Sequence, residues 1–220
     1  MITVPTWIIL GFPLPVALAA SQLNGALWTP VAAFNYLKKA SIDWPLVGGL
    51  IAFGLCGAYC GTRVVFQVDQ ALLQRIFGLI ILMLVILTAF TRNFGLNSHE
   101  PRTSRVVSSF LALPLGFYET LFGSGNGMFT SAMLVKTRGF TLTIALGYYY
   151  VIAFTWCCLG AFVYIQGGFG DLNLMLPSSL GGVGGAYLGS LIGRKRGPRF
   201  VKALFLAMGT FLGLKLAVGW

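Results

Sequence analysis

Apolar residues in this chain fall in blocks rather than in stripes. Runs of about 18 or more apolar and small residues recur along it, each long enough to cross a hydrocarbon layer of roughly 30 Å as a helix. A core helix of a water-soluble protein keeps a polar stripe at helical period, and the run from Ile76 to Phe90 has none. The pattern predicts helices over about 14–38, 44–63, 70–91, 141–165, 172–193 and 198–218, with a short apolar piece at 1–10. The stretch 106–137 is interrupted at Gly123-Ser124-Gly125-Asn126-Gly127, which divides it into helices over 106–122 and 128–137. The expected fold class is an all-α polytopic membrane protein.

The blocks are also duplicated. Residues 11–61 recur without a gap as 139–189, at the single offset 139 − 11 = 128. Matched pairs include Trp28/Trp156, Phe34/Phe162, Tyr36/Tyr164, Asp43/Asp171, Gly54/Gly182, Gly57/Gly185, Tyr59/Tyr187 and Gly61/Gly189. Paired Trp, Tyr and Asp are hard to obtain by chance, and a duplicated apolar unit is the build of many secondary transporters. The domain reading is a first transmembrane repeat at 1–91, a polar cytoplasmic loop at 92–105, and a second repeat at 106–220. By the offset, a first copy of the glycine break falls at 123 − 128 = −5, so the first repeat is expected to be incomplete at its N-terminus.

Composition agrees with the pattern. Hydrophobic residues make up 57% of the 220 positions and charged ones 9%, with mean hydropathy +0.84. The net charge of +10 would suggest nucleic acid in a soluble protein. Here the basic residues lie between apolar runs, so the positive-inside rule explains them and no nucleic-acid partner is expected. They also decide the path of 106–137. If that stretch crossed once, one side would hold six basic residues and the other nine. If it enters, turns at the glycines and returns, Lys38, Lys39, Arg92, Arg102, Arg105, Lys136, Arg138, Arg194, Lys195, Arg196, Arg199 and Lys202 share one side, leaving Arg63, Arg75 and Lys215 on the other. That division, 12 against 3, predicts a re-entrant or broken-helix hairpin at 106–137. The same topology sends 14–38 inward and its copy 141–165 outward, so the helical units form an inverted repeat.

Candidate chemistry is sparse. Gly123, Ser124, Gly125, Asn126 and Gly127 read as uncoiled backbone whose amides converge on an anion beside a helix N-terminus, or as a tight helix crossing that needs small residues. Glu119 is the one acid inside an apolar span. It reads as a coupling or gating carboxyl, or as a structural hydrogen bond to nearby amides. Ser21, Gln22 and Asn24 interrupt the first long helix and either line a site or bond between helices. Their counterparts in the second copy include Tyr149, Tyr150 and Ile152. Trp28 and Trp156 read chiefly as packing. Asp43 and Asp171 sit where helix N-caps belong, and Arg194-Lys195-Arg196 anchors topology. Cys56, Cys60, Cys157 and Cys158 all lie in apolar runs and read as small buried hydrophobes or a sulfur-handling thiol. The one histidine, His99, is in a loop, so no metal, cofactor or enzymatic activity is expected.

The glycine break, the short and long helices after it, the Gly181-Gly182-Val183-Gly184-Gly185-Ala186-Tyr187-Leu188-Gly189 helix and the basic turn before the last span together resemble the sulfite exporter TauE/SafE family of prokaryotic permeases. The likeness covers nearly the whole chain. Asn126 stands where the family's Gly-x-Gly-Gly-Gly signature has its penultimate glycine, and the first copy of that signature would precede Met1. The resemblance implies transport of small sulfur-containing anions, such as sulfite or organosulfonates, across a bacterial or archaeal cytoplasmic membrane. The expected partners are that anion and the lipid bilayer; no feature points to an oligomeric state. The expected mechanism is alternating access, with Glu119 either coupling transport to a proton or gating it. The competing readings are a passive anion channel and a membrane-embedded sulfur-handling protein using Cys157 or Cys158.

Overall fold

The computed structural model describes residues 10–38, 40–64, 97–98, 100–122 and 125–218, with isolated positions in the first ten residues and between 79 and 90. Every regular element among them is helical. The predicted helix 70–91 and the piece at 1–10 lie largely outside the described residues.

Helix α1, Leu14–Leu37, starts after the extended Pro13 and carries Pro30 inside it. A proline there removes one helical N–H, which membrane helices tolerate when neighbours re-satisfy the backbone. Helix α2 is Trp44–Val64, and Asp43 caps it by accepting from the Leu46 amide at 3.3 Å. The hairpin comprises α3 (Arg105–Phe110), α4 (Ala112–Phe122) and α5 (Asn126–Arg138). Helix α6, Leu142–Tyr164, is capped by Thr141 and ends in a widened turn, Ile165–Phe169, with Gly168 left-handed. Asp171, the predicted second cap, accepts from the Asn173 amide at 3.0 Å and precedes α7, Leu172–Val218.

Three boundaries differ from the sequence reading. The helix expected over 106–122 breaks at Leu111, because Pro114 has no N–H for the Phe110 carbonyl. The helix expected from 128 begins at Asn126, since the left-handed Gly125 (φ 83°) already turns the chain. Asn126 and Gly127 are therefore first-turn residues rather than uncoiled chain. Arg194, Lys195 and Arg196 are helical, and the last two predicted spans join as arms of α7 that meet at Gly197 (φ 78°), just before Pro198.

The hairpin doubles back. The amides of Arg102 and Thr103 donate to the Thr137 carbonyl at 3.0 and 3.1 Å, and Arg138 donates to the Thr103 carbonyl at 2.8 Å. Arg105 and Arg138 then meet the same Asp43 carboxylate, at 2.9 and 3.7 Å. Arg194 reaches the Asn35 carbonyl at the same end of the molecule, while Arg63 stands at the far end of α2. Arg102, Arg105, Arg138 and Arg194 thus share one end of the described structure, with Arg63 at the other.

Contacts fix the helix directions. Gly25 faces Cys157, Gln22 faces Gly160 and Leu37 faces Gly147, so α1 and α6 run antiparallel. Asp43 bonds Tyr148 while Gly54 meets Trp156, so α2 runs parallel to α6. Asn24 meets Gly182 and Asn35 bonds Ser190 at 2.8 Å, which makes α1 parallel to the first arm of α7. Two apolar clusters fill the interior, one around Leu46, Leu50, Leu142 and Trp156, the other around Leu18, Tyr164 and Met175. Large apolar side chains also point outward, among them the duplicated pair Phe34 and Phe162, 65% and 58% exposed. An outward apolar surface suits a hydrocarbon surrounding. Two of the described helical stretches, Trp44–Val64 and Leu142–Phe169, are both long and apolar enough to cross a membrane.

Candidate functional site

Where α4 ends inside the molecule, its last four carbonyls lose their helical partners and need others. Gln22 of α1 donates Nε2 to the Glu119 carbonyl at 2.7 Å. Tyr164 of α6 donates its hydroxyl to the Thr120 carbonyl, also at 2.7 Å. Thr120 in turn donates to the Ala58 carbonyl of α2 at 2.8 Å. Two of the four carbonyls at the broken helix end are thus taken up by side chains of neighbouring helices.

The Glu119 side chain turns into the junction of α1, α4, α5 and α6 and is only 4% exposed. Asn126, in the first turn of α5, donates Nδ2 to its Oε2 at 2.6 Å. The Tyr149 hydroxyl donates to the same oxygen at 3.1 Å, and the Cys157 thiol approaches Oε1 at 3.7 Å. Asn126 also bonds the Leu115 carbonyl at 3.0 Å and accepts from Thr130 at 3.3 Å, so its amide plane is fixed. No ion pair to Glu119 occurs among the described residues. The N-terminus of α5 supplies the positive end of a helix dipole to the junction.

Glycines clear the room for these side chains. A methyl at Gly127 would stand 2.9 Å from the Tyr149 ring, one at Gly25 would stand 2.7 Å from Cys157 Sγ, and one at Gly160 would meet Gln22 at 3.0 Å.

The structure brings together Gln22, Glu119, Gly125, Asn126 and Gly127 from the sequence-named set. Asn24 turns the other way, with its Oδ1 against Gly182 of α7, and Ser21 is buried within α1. Gly123 and Ser124 lie outside the described residues. Trp156 is wholly buried on Gly54, and Trp28 stacks edge-on with Tyr150 at 5.3 Å. Cys56, Cys60 and Cys158 face outward, and only Cys157 among the cysteines is buried. Sequence reasoning missed Tyr149 and Cys157 as partners of Glu119. Their spacing carried little signal, because residues eight apart on a helix lie about 12 Å along its axis and about 80° around it.

Relatives among known proteins match along nearly the whole length of the chain. A probable membrane transporter protein of Haemophilus influenzae is 24% identical over 223 residues, covering 100% of this chain and 88% of that protein. A second, the probable membrane transporter protein ORF9 of a Sinorhizobium species, is 23% identical over 219 residues, covering 98% and 83%. No solved structure matches the chain. The family model described as sulfite exporter TauE/SafE matches residues 1–216, and the chain belongs to that family of membrane transporters.

Proposed function

We propose that this membrane transporter is a multi-pass permease that moves small sulfur-containing anions, such as sulfite or organosulfonates, by alternating access between two inverted helical units. The observation that carries the reading is the Glu119 carboxyl, buried where four helices meet and surrounded by hydrogen-bond donors, with no ion-pair partner among the described residues. An ionisable side chain at such depth is expensive, and in transporters it marks a substrate or proton path. The antiparallel run of α1 and α6, which are copies of each other, is the direction an inverted duplication requires. The family's description as sulfite exporters supports the substrate class. Asn126, with the glycine turn before it, receives the anion, and Glu119 couples its movement to a proton.

Sulfite flux into proteoliposomes under a pH gradient tests this. Wild-type protein should give saturable flux that the gradient accelerates. Glu119→Gln and Asn126→Ala should each reduce gradient-driven flux about tenfold or more, the scale of losing a hydrogen bond to a charged group. Unchanged flux and pH response in both variants would remove these assignments.

A further inference from the structure

Four side chains that meet around one carboxyl are each more than nine-tenths buried: Glu119 at 4%, Asn126 at 1%, Tyr149 at 7% and Cys157 at 3% exposure. The two carboxyl oxygens take donors from two different helices, Asn126 on α5 and Tyr149 and Cys157 on α6. Such an arrangement is what an oxyanion with two oxygens on one centre would need. The other described side chains close by are neutral. Gln22 from α1 bonds the Glu119 backbone, and Thr120 ties the same helix to α2. Tyr118 stacks on Phe122 and Phe129. No Lys, Arg or His pairs with the carboxyl among the described residues. The junction therefore offers donors to a single carboxylate, and with no counter-charge among the described residues a second negative charge would be costly to bury.

We propose that Glu119 is an internal stand-in for the substrate: a small monovalent oxyanion displaces its carboxylate from Asn126, Tyr149 and Cys157 as Glu119 takes up one proton. The proposal rests on the transport reading above and deepens it, adding Tyr149 and Cys157 to the groups that receive substrate. The exchange balances. A proton from the water on the open side bonds to a Glu119 oxygen, the neutral carboxyl gives up its three donors, and the incoming anion accepts them. No bond to sulfur forms or breaks, and nothing is oxidised or reduced. The pocket carries one negative charge before and after, so one proton accompanies one monovalent anion. A dianion such as sulfate leaves the pocket with two and is rejected, and sulfite enters as its monovalent form, hydrogensulfite.

The test uses the full chain in lipid with methanesulfonate, whose charge is constant over the working pH range, so any pH response belongs to the protein. Wild-type affinity should rise as pH falls, and infrared difference spectra on adding methanesulfonate should gain the C=O stretch of a protonated carboxyl. Glu119→Gln should lose both the infrared band and the pH dependence of binding. Tyr149→Phe should weaken binding roughly tenfold while keeping the pH dependence. Absence of the carboxyl band in wild type, or a pH response that survives in Glu119→Gln, overturns the stand-in proposal while leaving an anion transporter standing. A wild type that binds methanesulfonate no better than sulfate overturns the charge argument. Failure to move or bind either sulfite or methanesulfonate overturns both readings. Should Glu119→Gln not fold, the wild-type infrared result and Tyr149→Phe binding decide the matter.

Discussion

Gly25, Gly127 and Gly160 do at close range what no larger residue could do there, letting Cys157, Tyr149 and Gln22 lie against a neighbouring helix backbone. Two effects oppose each other when such a glycine becomes alanine. Helix propensity gains up to about 1 kcal/mol, while overpacking costs about 1–3 kcal/mol when the obstructing group is rigid. At Gly127 the obstruction is the Tyr149 ring, 2.9 Å from the added methyl, so overpacking should win. Gly127→Ala is expected to lose about 1–2 kcal/mol net, seen as earlier thermal unfolding in detergent. Gly184→Ala, with nothing within 4 Å, should be neutral or stabilising. The polar residues of this region could be named from the chain because Ser, Gln, Asn and Glu are conspicuous among apolar neighbours. Their partners could not. Gln22 and Glu119 are 97 positions apart, and their meeting depends on how four helices pack. Asn24, two residues from Gln22, points to a different helix because two positions turn the side chain through more than half a circle.

At the scale of elements, the hairpin is pinned at its mouth by Asp43, which caps α2 and meets both Arg105 and Arg138. The two pairs are unequal. The Arg105 side chain is 59% exposed, so Arg105→Gln should change stability by under about 1 kcal/mol. The Arg138 side chain is 10% exposed and also holds the Thr103 carbonyl. Asp43→Ala removes a cap and leaves this arginine without its carboxylate, so a loss of about 1–3 kcal/mol is expected in denaturant titrations. A result near zero would mean that the backbone bonds from Arg102 and Thr103 to Thr137 close the hairpin alone. The path of the hairpin was legible from basic residues, and its turn from glycines. The kink at Leu111 was not, because a proline three residues on looks harmless inside an apolar run. The early start of α5 was hidden too, since an Asn-Gly pair suggests a turn until Gly125 has already made it.

For the whole molecule, the contacts set which ends lie together. Lys38, Arg102 and Lys195 belong to one end and Arg63 to the other. On a background with Cys56, Cys60 and Cys158 changed to Ser, single cysteines at the first three positions should react with a membrane-impermeant maleimide from one face. A cysteine at position 63 should react only from the opposite face. Labelling of positions 38 and 102 from different faces would overturn the inverted arrangement. The duplication itself was plain in the chain, because a constant offset survives any fold.

The seam between α2 and the hairpin has its own consequence. Gly57 receives the Leu113 carbonyl, Gly116 receives that of Gly54, and Gly61 lies on Phe117 and Thr120. Backbones in such contact interlock, and neither rod can slide past the other without a clash at several points at once. The seam therefore holds Glu119 to α2, whereas Gln22, Tyr149 and Cys157 stand on α1 and α6. Any opening that parted α1 and α6 from the hairpin would have to pull those bonds apart, so admitting a solute there and unclasping the carboxyl would be a single event.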